Sequence, residues 1–229
     1  LMKKGLNNYT WNLRYPGASE FEGMIIWSAK PSLGPIAPPG IYEIQLTVDD
    51  QRFKTSIEVK KDPRIQITDE IIRKQFDFAM DIMKQTDLAN KSVMKIRSIK
   101  GQLNEVARNS SLAKSKKIKS LIYRLEKIES SIYQTKNQSG QDPLNFPIKV
   151  NNRLAYLRKS VVSGDGILTK GSIKFDFIPD DNEEYDSKKF SEISLPLKIH
   201  ESFFRLHGDL KSSLETGEDK NPVFNIITG

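Results

Sequence analysis

Three groups of side chains in this sequence have the types and spacing to do chemistry. The first is acidic: Asp180, Asp181, Glu183, Glu184 and Asp186 crowd one short stretch. Paired carboxylates can serve as acid and base in glycoside hydrolysis, and clustered ones can hold calcium. Here they follow Pro179 and flank Asn182, without the glycine and ligand spacing of a calcium loop, so the run reads as a solvated loop. The second is His200 and His207. Seven residues apart on a helix they share a side but stand about 10 Å apart, too far to hold one metal unaided. Neither has a serine or cysteine partner in a legible motif. The third is basic. Lys91, Lys95, Arg97, Lys100, Arg108, Lys114, Lys116, Lys117, Lys119, Arg124 and Lys127 face only Glu105 and Glu126 as acids in that window. Such density suits phosphate backbones. No aromatic residue is interleaved for base stacking over most of it, and no known nucleic-acid module is legible. A solvated, lysine-rich helix tip is the preferred reading, with an acidic protein or polysaccharide surface as the next.

A fourth candidate is recognition rather than reaction. The stretch Tyr133-Gln-Thr-Lys-Asn-Gln-Ser-Gly-Gln-Asp-Pro-Leu-Asn-Phe-Pro-Ile-Lys-Val-Asn-Asn152 is longer than a helix connection requires. Gln134, Asn137, Gln138, Gln141 and Asn145 could bind a sugar or a partner chain. Alternatively they satisfy buried backbone groups and tie two helices together, as amide side chains do in turns. The second reading is preferred. Leu144, Phe146 and Ile148 read as its apolar anchors.

The elements that must position these groups follow from periodicity. Residues 5 to about 61 read as strands. Tyr9, Trp11 and Leu13 alternate, Met24-Ile-Ile-Trp27 is a short apolar run, and Ser32 to Gly40 is too proline-rich for helix. Ile41–Val48 and Arg52–Val59 alternate strongly about Asp49-Asp50, which predicts a β-hairpin. Asp62-Pro63-Arg64 ends the strand region, and Asp62 is placed to accept backbone hydrogen bonds there. Thr68, Asp69 and Glu70 are a helix start. Ile72, Phe76, Ala79, Met83, Ala89, Val93, Ile96 and Leu103 then form one stripe on a helix reaching about Arg108, on the order of 60 Å long. After a turn at Asn109–Ser111, a second helix carries Ile118, Leu121, Leu125, Ile128 and Ile132, which predicts an antiparallel helical hairpin. A third runs from about Ile148 to Ser163 with Leu154, Leu157 and Val161 inward. Ser172–Ile178 alternates like a strand, and a last helix is expected between about Pro196 and Leu214.

Composition sets limits. The 229 residues include 36 Lys and Arg against 29 Asp and Glu, for a net charge of +7, and no cysteine. A disulfide framework and a thiolate zinc site are therefore excluded. No apolar run approaches the roughly 20 residues of a membrane span, and no signal-peptide pattern opens the sequence.

The segment Tyr133 to Leu157 resembles the near-C-terminal signature of a family of large bacterial propeller proteins, labelled sortilin-like or glycosyl hydrolase BNR-repeat proteins. Gly5-Leu-Asn-Asn-Tyr-Thr-Trp-Asn-Leu-Arg14 is similar to that family's G-x-N-x-[FY]-x-W-D-L-R segment, with Asn12 where the family has Asp, and Asp62-Pro63-Arg64 to its DPR junction. Pro39-Gly-Ile-Tyr42 resembles the P-G-x-Y approach to the last strands of Ig-like modules. The resemblance spans roughly residues 5 to 163. It implies an α+β chain: the C-terminal part of an Ig-like β-sandwich over residues 1–61, with four or five of about seven strands, a junction at 62–67, and a helical bundle over 68–229 built on the long hairpin. It further implies an extracytoplasmic location and a non-catalytic accessory role. The expected partners are the propeller portion of the same or a larger protein and other envelope proteins. No cofactor, metal or catalytic residue is expected, and nucleic acid is not an expected partner. The architectural or recognition candidates are Trp11, Arg14, Tyr42, Asp62, Arg64, Asn137, Gln141, Asp142 and Asn145. The rival readings are part of a glycan-active or glycan-binding enzyme, which the family label suggests, and a basic nucleic-acid-binding module.

Overall fold

A computed structural model describes residues 5–164 and 167–169. The readings made for 172–178, for the acidic loop, for both histidines and for the helix between 196 and 214 lie outside the described residues. The described elements are β1 (Arg14–Pro16), β2 (Leu33–Ile36), β3 (Gly40–Val48), β4 (Gln51–Val59), α1 (Asp69–Arg108), α2 (Leu112–Ile132) and α3 (Val150–Val161), with one 3-10 turn at Asp142–Leu144. The described residues thus form a mixed fold, with two antiparallel sheets of two strands each, β1–β2 and β3–β4, and three helices.

The helices match their sequence signals closely. The Thr68 hydroxyl accepts a hydrogen bond from the Ile71 amide, and Asp69 and Glu70 occupy the first turn, where the helix dipole favours negative charge. Along α1, Ala79, Ile82, Thr86, Ala89, Asn90, Val93, Ile96 and Leu103 are buried. One core joins Ala79 and Ile82 of α1 to Leu154, Leu157 and Val161 of α3, with Phe78, Val150, Val162 and Leu168 packed at its margin. On α2, Ile118, Leu125 and Ile132 are buried. At roughly 25 cal/mol per Å² of apolar surface, burying each such side chain stabilises by about 1.5–3 kcal/mol.

The strand region departs from expectation at two places. Tyr9, Trp11 and Leu13 are not a strand: Tyr9 is 90% exposed and Leu13 has a positive φ of 57°, which breaks the extended run one residue before β1 begins. Met24–Trp27 is irregular as well: Ile25 and Trp27 bond to the side chains of Tyr133, just after α2, and Asn152 of α3 rather than to a second strand. The β1–β2 pair is held by close backbone contact. A Cβ at Gly34 would overlap the carbonyl oxygens of Tyr15 and Pro16, and one at Gly17 would overlap the backbone of Pro31 and Ser32, so only glycine fits either position. Tyr15 then meets Phe76 of α1 with ring centroids 4.9 Å apart.

The β3–β4 hairpin forms as its alternation predicts, with register from Gly40↔Val59 to Val48↔Gln51. Asp49 and Asp50 close it with φ of 46° and 67°, the left-handed pair of a type I′ turn. Aspartate tolerates this conformation, but asparagine and glycine fit it better. Asp49→Asn with Asp50→Gly is therefore expected to stabilise the hairpin by about 1 kcal/mol. The check is amide exchange in β3 and β4, which should slow by roughly fivefold; unchanged exchange would contradict this account.

Candidate functional site

Residues 17–32 contain neither helix nor strand, yet their backbone groups are extensively paired. Besides bonds within the segment, such as Ala18 to Pro31, the partners come from the helices and the loop between α2 and α3. Asp87 of α1 accepts from the Ser19 amide at 2.8 Å, and Asn90 donates to the Ser19 carbonyl at 2.7 Å. Burial works against the Asp87 charge, but hydrogen bonds from Lys91 and Ser19 outweigh it and hold the carboxyl below its ordinary range. Asn90 is fixed in turn by Asn151 of α3, whose amide donates to Asn90 Oδ1 at 3.0 Å in a fully buried pair.

Further along, the Tyr133 hydroxyl accepts from the Ile25 amide at 2.9 Å and donates to the Gly23 carbonyl at 3.3 Å. Asn152 does the most: Oδ1 accepts from the Trp27 amide at 2.7 Å while Nδ2 donates to the Trp27 carbonyl at 3.0 Å. One side-chain amide thereby serves Trp27 as a neighbouring β-strand would. Lys159 donates to the Ser28 carbonyl at 2.7 Å and Arg158 to the Lys30 carbonyl at 2.9 Å. Arg158 is almost fully buried; burial first, and then the charge of Arg14, push its guanidinium below its ordinary value.

An ion-pair cluster braces the same segment. Glu129 of α2 is 3% exposed and receives Arg97 Nε at 2.8 Å and Lys100 Nζ at 3.1 Å, while Lys100 also reaches Glu126 at 3.3 Å. Arg97 lies over the Phe21 ring at 4.6 Å and over Tyr133 at 5.4 Å, and those two rings meet edge to face at 5.0 Å. An open pocket of ≈ 410 Å³ borders Arg97, Lys100, Tyr123, Glu126 and Lys127. Its cations already have anionic or aromatic partners.

The residues singled out from sequence fall into three local groups, with no hydrogen bond, ion pair or ring contact joining one group to another. Trp11, Arg14 and Tyr42 come together. The indole donates to the Arg14 carbonyl at 3.1 Å, Arg14 donates to the Gly34 carbonyl at 2.9 Å, and the Trp11 and Tyr42 rings lie 5.3 Å apart. The Tyr42 hydroxyl donates to the Pro38 carbonyl at 2.6 Å. Asp62 and Arg64 pair with each other, and the Arg64 amide donates to Asp62 Oδ1 at 2.9 Å, the corner bond expected of Asp62. In the loop, Asp142 Oδ2 accepts from the Gln138 amide at 2.6 Å and the Ser139 amide at 2.8 Å, while Asn145 and Gln141 are exposed. Gln134 donates to the Pro147 carbonyl at 2.8 Å and its oxygen accepts from the Lys136 amide, the structural use preferred for the loop amides. Leu144 is no anchor: it is 69% exposed, carried outward by the 3-10 turn.

Backbone hydrogen bonds from Gln138 and then Ser139 hold the Asp142 carboxyl below its ordinary range. With a folded value below the unfolded one of about 3.9, Asp142 supports the loop above that unfolded value. The support is lost as pH falls through the folded value. A carbon-detected titration should place the Asp142 midpoint below that of a model peptide, and Asp142→Ala should speed exchange of the Gln138 and Ser139 amides by roughly tenfold. An unshifted midpoint would show that the two amide bonds do not favour the ionised carboxylate.

Sequence reading passed over most of the groups that hold residues 17–32: Asp87, Asn90, Glu129, Asn151, Asn152, Arg158 and Lys159, with Arg97 read only as part of the basic run. A signal was present. Thr86 and Asn90 continue the apolar stripe of α1 in steps of three and four, so polar side chains there face inward and need partners. Among the described residues no group of three or more His, Cys, Asp or Glu is placed to hold a metal ion, and no helix is long and apolar enough to cross a membrane. Comparison of the chain with protein-family models, with curated proteins and with solved structures finds no match.

Proposed function

We propose that this chain is a non-catalytic scaffold region of an extracytoplasmic propeller protein, mediating intramolecular and protein–protein contacts. The observation that carries this reading is where the polar side chains go. Asp87, Asn90, Tyr133, Asn152, Arg158 and Lys159 bond to the backbone of residues 18–30 of their own chain, so they build a rigid body rather than a reaction centre. In this reading α1 and α2 are the two arms of a long antiparallel hairpin. The ion pairs support it: Arg97 meets Glu129 and Lys100 meets Glu126, so sequence order runs in opposite senses along the two helices. The four strands belong to a partial Ig-like module, and the signature loop joins α2 to α3.

The test is a pull-down from native envelope extract with the intact chain as bait, followed by intact-mass analysis of what remains bound. The expected result is recovery of a propeller-containing protein or another envelope protein that survives a high-salt wash. Recovery of nucleic acid alone, or glycan cleavage by the isolated chain, would overturn the proposal.

A further inference from the structure

We propose that the outer edge of β4 pairs with the same edge of a second copy of this chain, antiparallel and with the two-fold axis at Thr55. Three observations lead there, independently of the scaffold reading. First, β3 and β4 form a sheet of two strands, and among the described residues no strand lies along the outer edge of β4. Nine residues long, free of proline and glycine, and exposed from Gln51 to Ser56, this edge is open to another strand. A two-stranded ribbon is at best marginal in water, so added strands stabilise it.

Second, the hydrogen-bonding parity is right. A two-residue turn closes on a bonded pair, here Val48 and Gln51, so odd-numbered residues of β4 bond to β3. Arg52, Lys54, Ser56 and Glu58 then direct their amides and carbonyls outward. An axis at Thr55 sets Lys54 opposite Ser56 and Arg52 opposite Glu58, and these are the outward-directed residues.

Third, the charges are self-complementary about that axis. Arg52 of each copy faces Glu58 of the other, twice per dimer. Phe53, 54% exposed, gains Ile57 of the other copy as a cross-strand neighbour on the apolar face. Glu58 is already within 3.2 Å of Lys60, just past the end of its own strand, an exposed pair that costs little to rearrange. The edge of β3 has no such property: an axis at Ile44 would set Glu43 against Gln45 and Ile41 against Thr47. Charge complementarity therefore selects β4 and selects a second copy as its partner.

The test is sedimentation equilibrium of the full chain over a wide concentration range. The wild type is expected to dimerise. Arg52→Glu and Glu58→Arg, each alone, place like charges opposite one another twice per dimer and should raise the dissociation constant at least roughly tenfold. An equimolar mixture of the two single variants, and separately the double swap, should restore dimerisation, because each again pairs Glu with Arg. Within the monomer these residues lie opposite Thr47 and Ile41, so the exchange leaves the hairpin intact. A second measurement does not depend on charge. The chain has no cysteine, and Thr55→Cys would bring two thiols together at a non-bonded pair, Cα atoms about 4.5 Å apart, within disulfide range. It should oxidise to a covalent dimer faster than Thr47→Cys. A monomer at every concentration would overturn the proposal. So would a dimer indifferent to the charge reversals, failure of the mixture to recover, or equal oxidation of the two cysteine variants.

Discussion

Asn152→Ala is expected to cost about 2–3 kcal/mol of folding stability, through loss of two hydrogen bonds and the stranding of two backbone groups. Asn152 is almost wholly buried, and both of its bonds go to Trp27, one to the amide and one to the carbonyl. Alanine can make neither bond and leaves a gap where the amide stood. In a chain of this size the loss corresponds to roughly 4–12 °C in Tm. The structural readout is more telling than the global one. Amide exchange at Ile25 and Trp27 should accelerate at least roughly tenfold, whereas exchange in the middle of α1 should change only as global stability does. A loss below about 0.5 kcal/mol with unchanged exchange at Trp27 would show that the irregular segment is held by something other than this amide.

Glu129→Ala is expected to be similarly damaging, at about 2–3 kcal/mol, because it leaves two cations beside an apolar gap. Full burial of the cluster would make the cost larger. Arg97, however, is 38% exposed and Lys100 keeps Glu126, so solvent and the second carboxylate take up part of the loss. Glu129→Gln separates shape from charge. It preserves the volume and one acceptor and is expected to cost only about 1 kcal/mol. Urea titration of the three proteins in low and high salt checks both claims. The Glu129→Ala deficit should persist in high salt, since a carboxylate this buried is weakly screened. If Gln and Ala cost the same, the charge rather than the packing carries the interaction. If neither costs anything, Arg97 is held by Phe21 and Tyr133 alone.

The long elements were legible because local physics decides them. Thr68 caps α1, the apolar steps continue to Leu103, and no interior proline or run of glycine interrupts the helix. The stripe on α3 and the strand alternation about Asp49-Asp50 were equally plain, because each pattern needs only its own residues. Within the candidate groups, the Asp62 corner was readable from the dipeptide that follows it.

Residues 17–32 were not legible, and the reason is physical. Met24-Ile-Ile-Trp27 has the composition of a buried strand, but a strand needs a neighbouring strand to pair with. Here Tyr133 and Asn152, more than a hundred residues away, supply those bonds instead. The same holds for Tyr9 to Leu13, where the positive φ of Leu13 ends an alternation that local sequence alone would continue.

By itself the sequence determined the three described helices, the β3–β4 hairpin, the absence of cysteine chemistry and the excess of positive charge. All of these depend on composition or on contacts a few residues apart. Only the tertiary structure decided that Asn90, Glu129, Asn151 and Asn152 are buried, and that Arg97 and Lys100 serve an internal carboxylate. It also decided that an irregular segment is held by side chains from α1, α3 and the loop before α3. A polar side chain on a helix is stable on the surface or in a paired interior, and which of these holds depends on partners that local sequence does not specify.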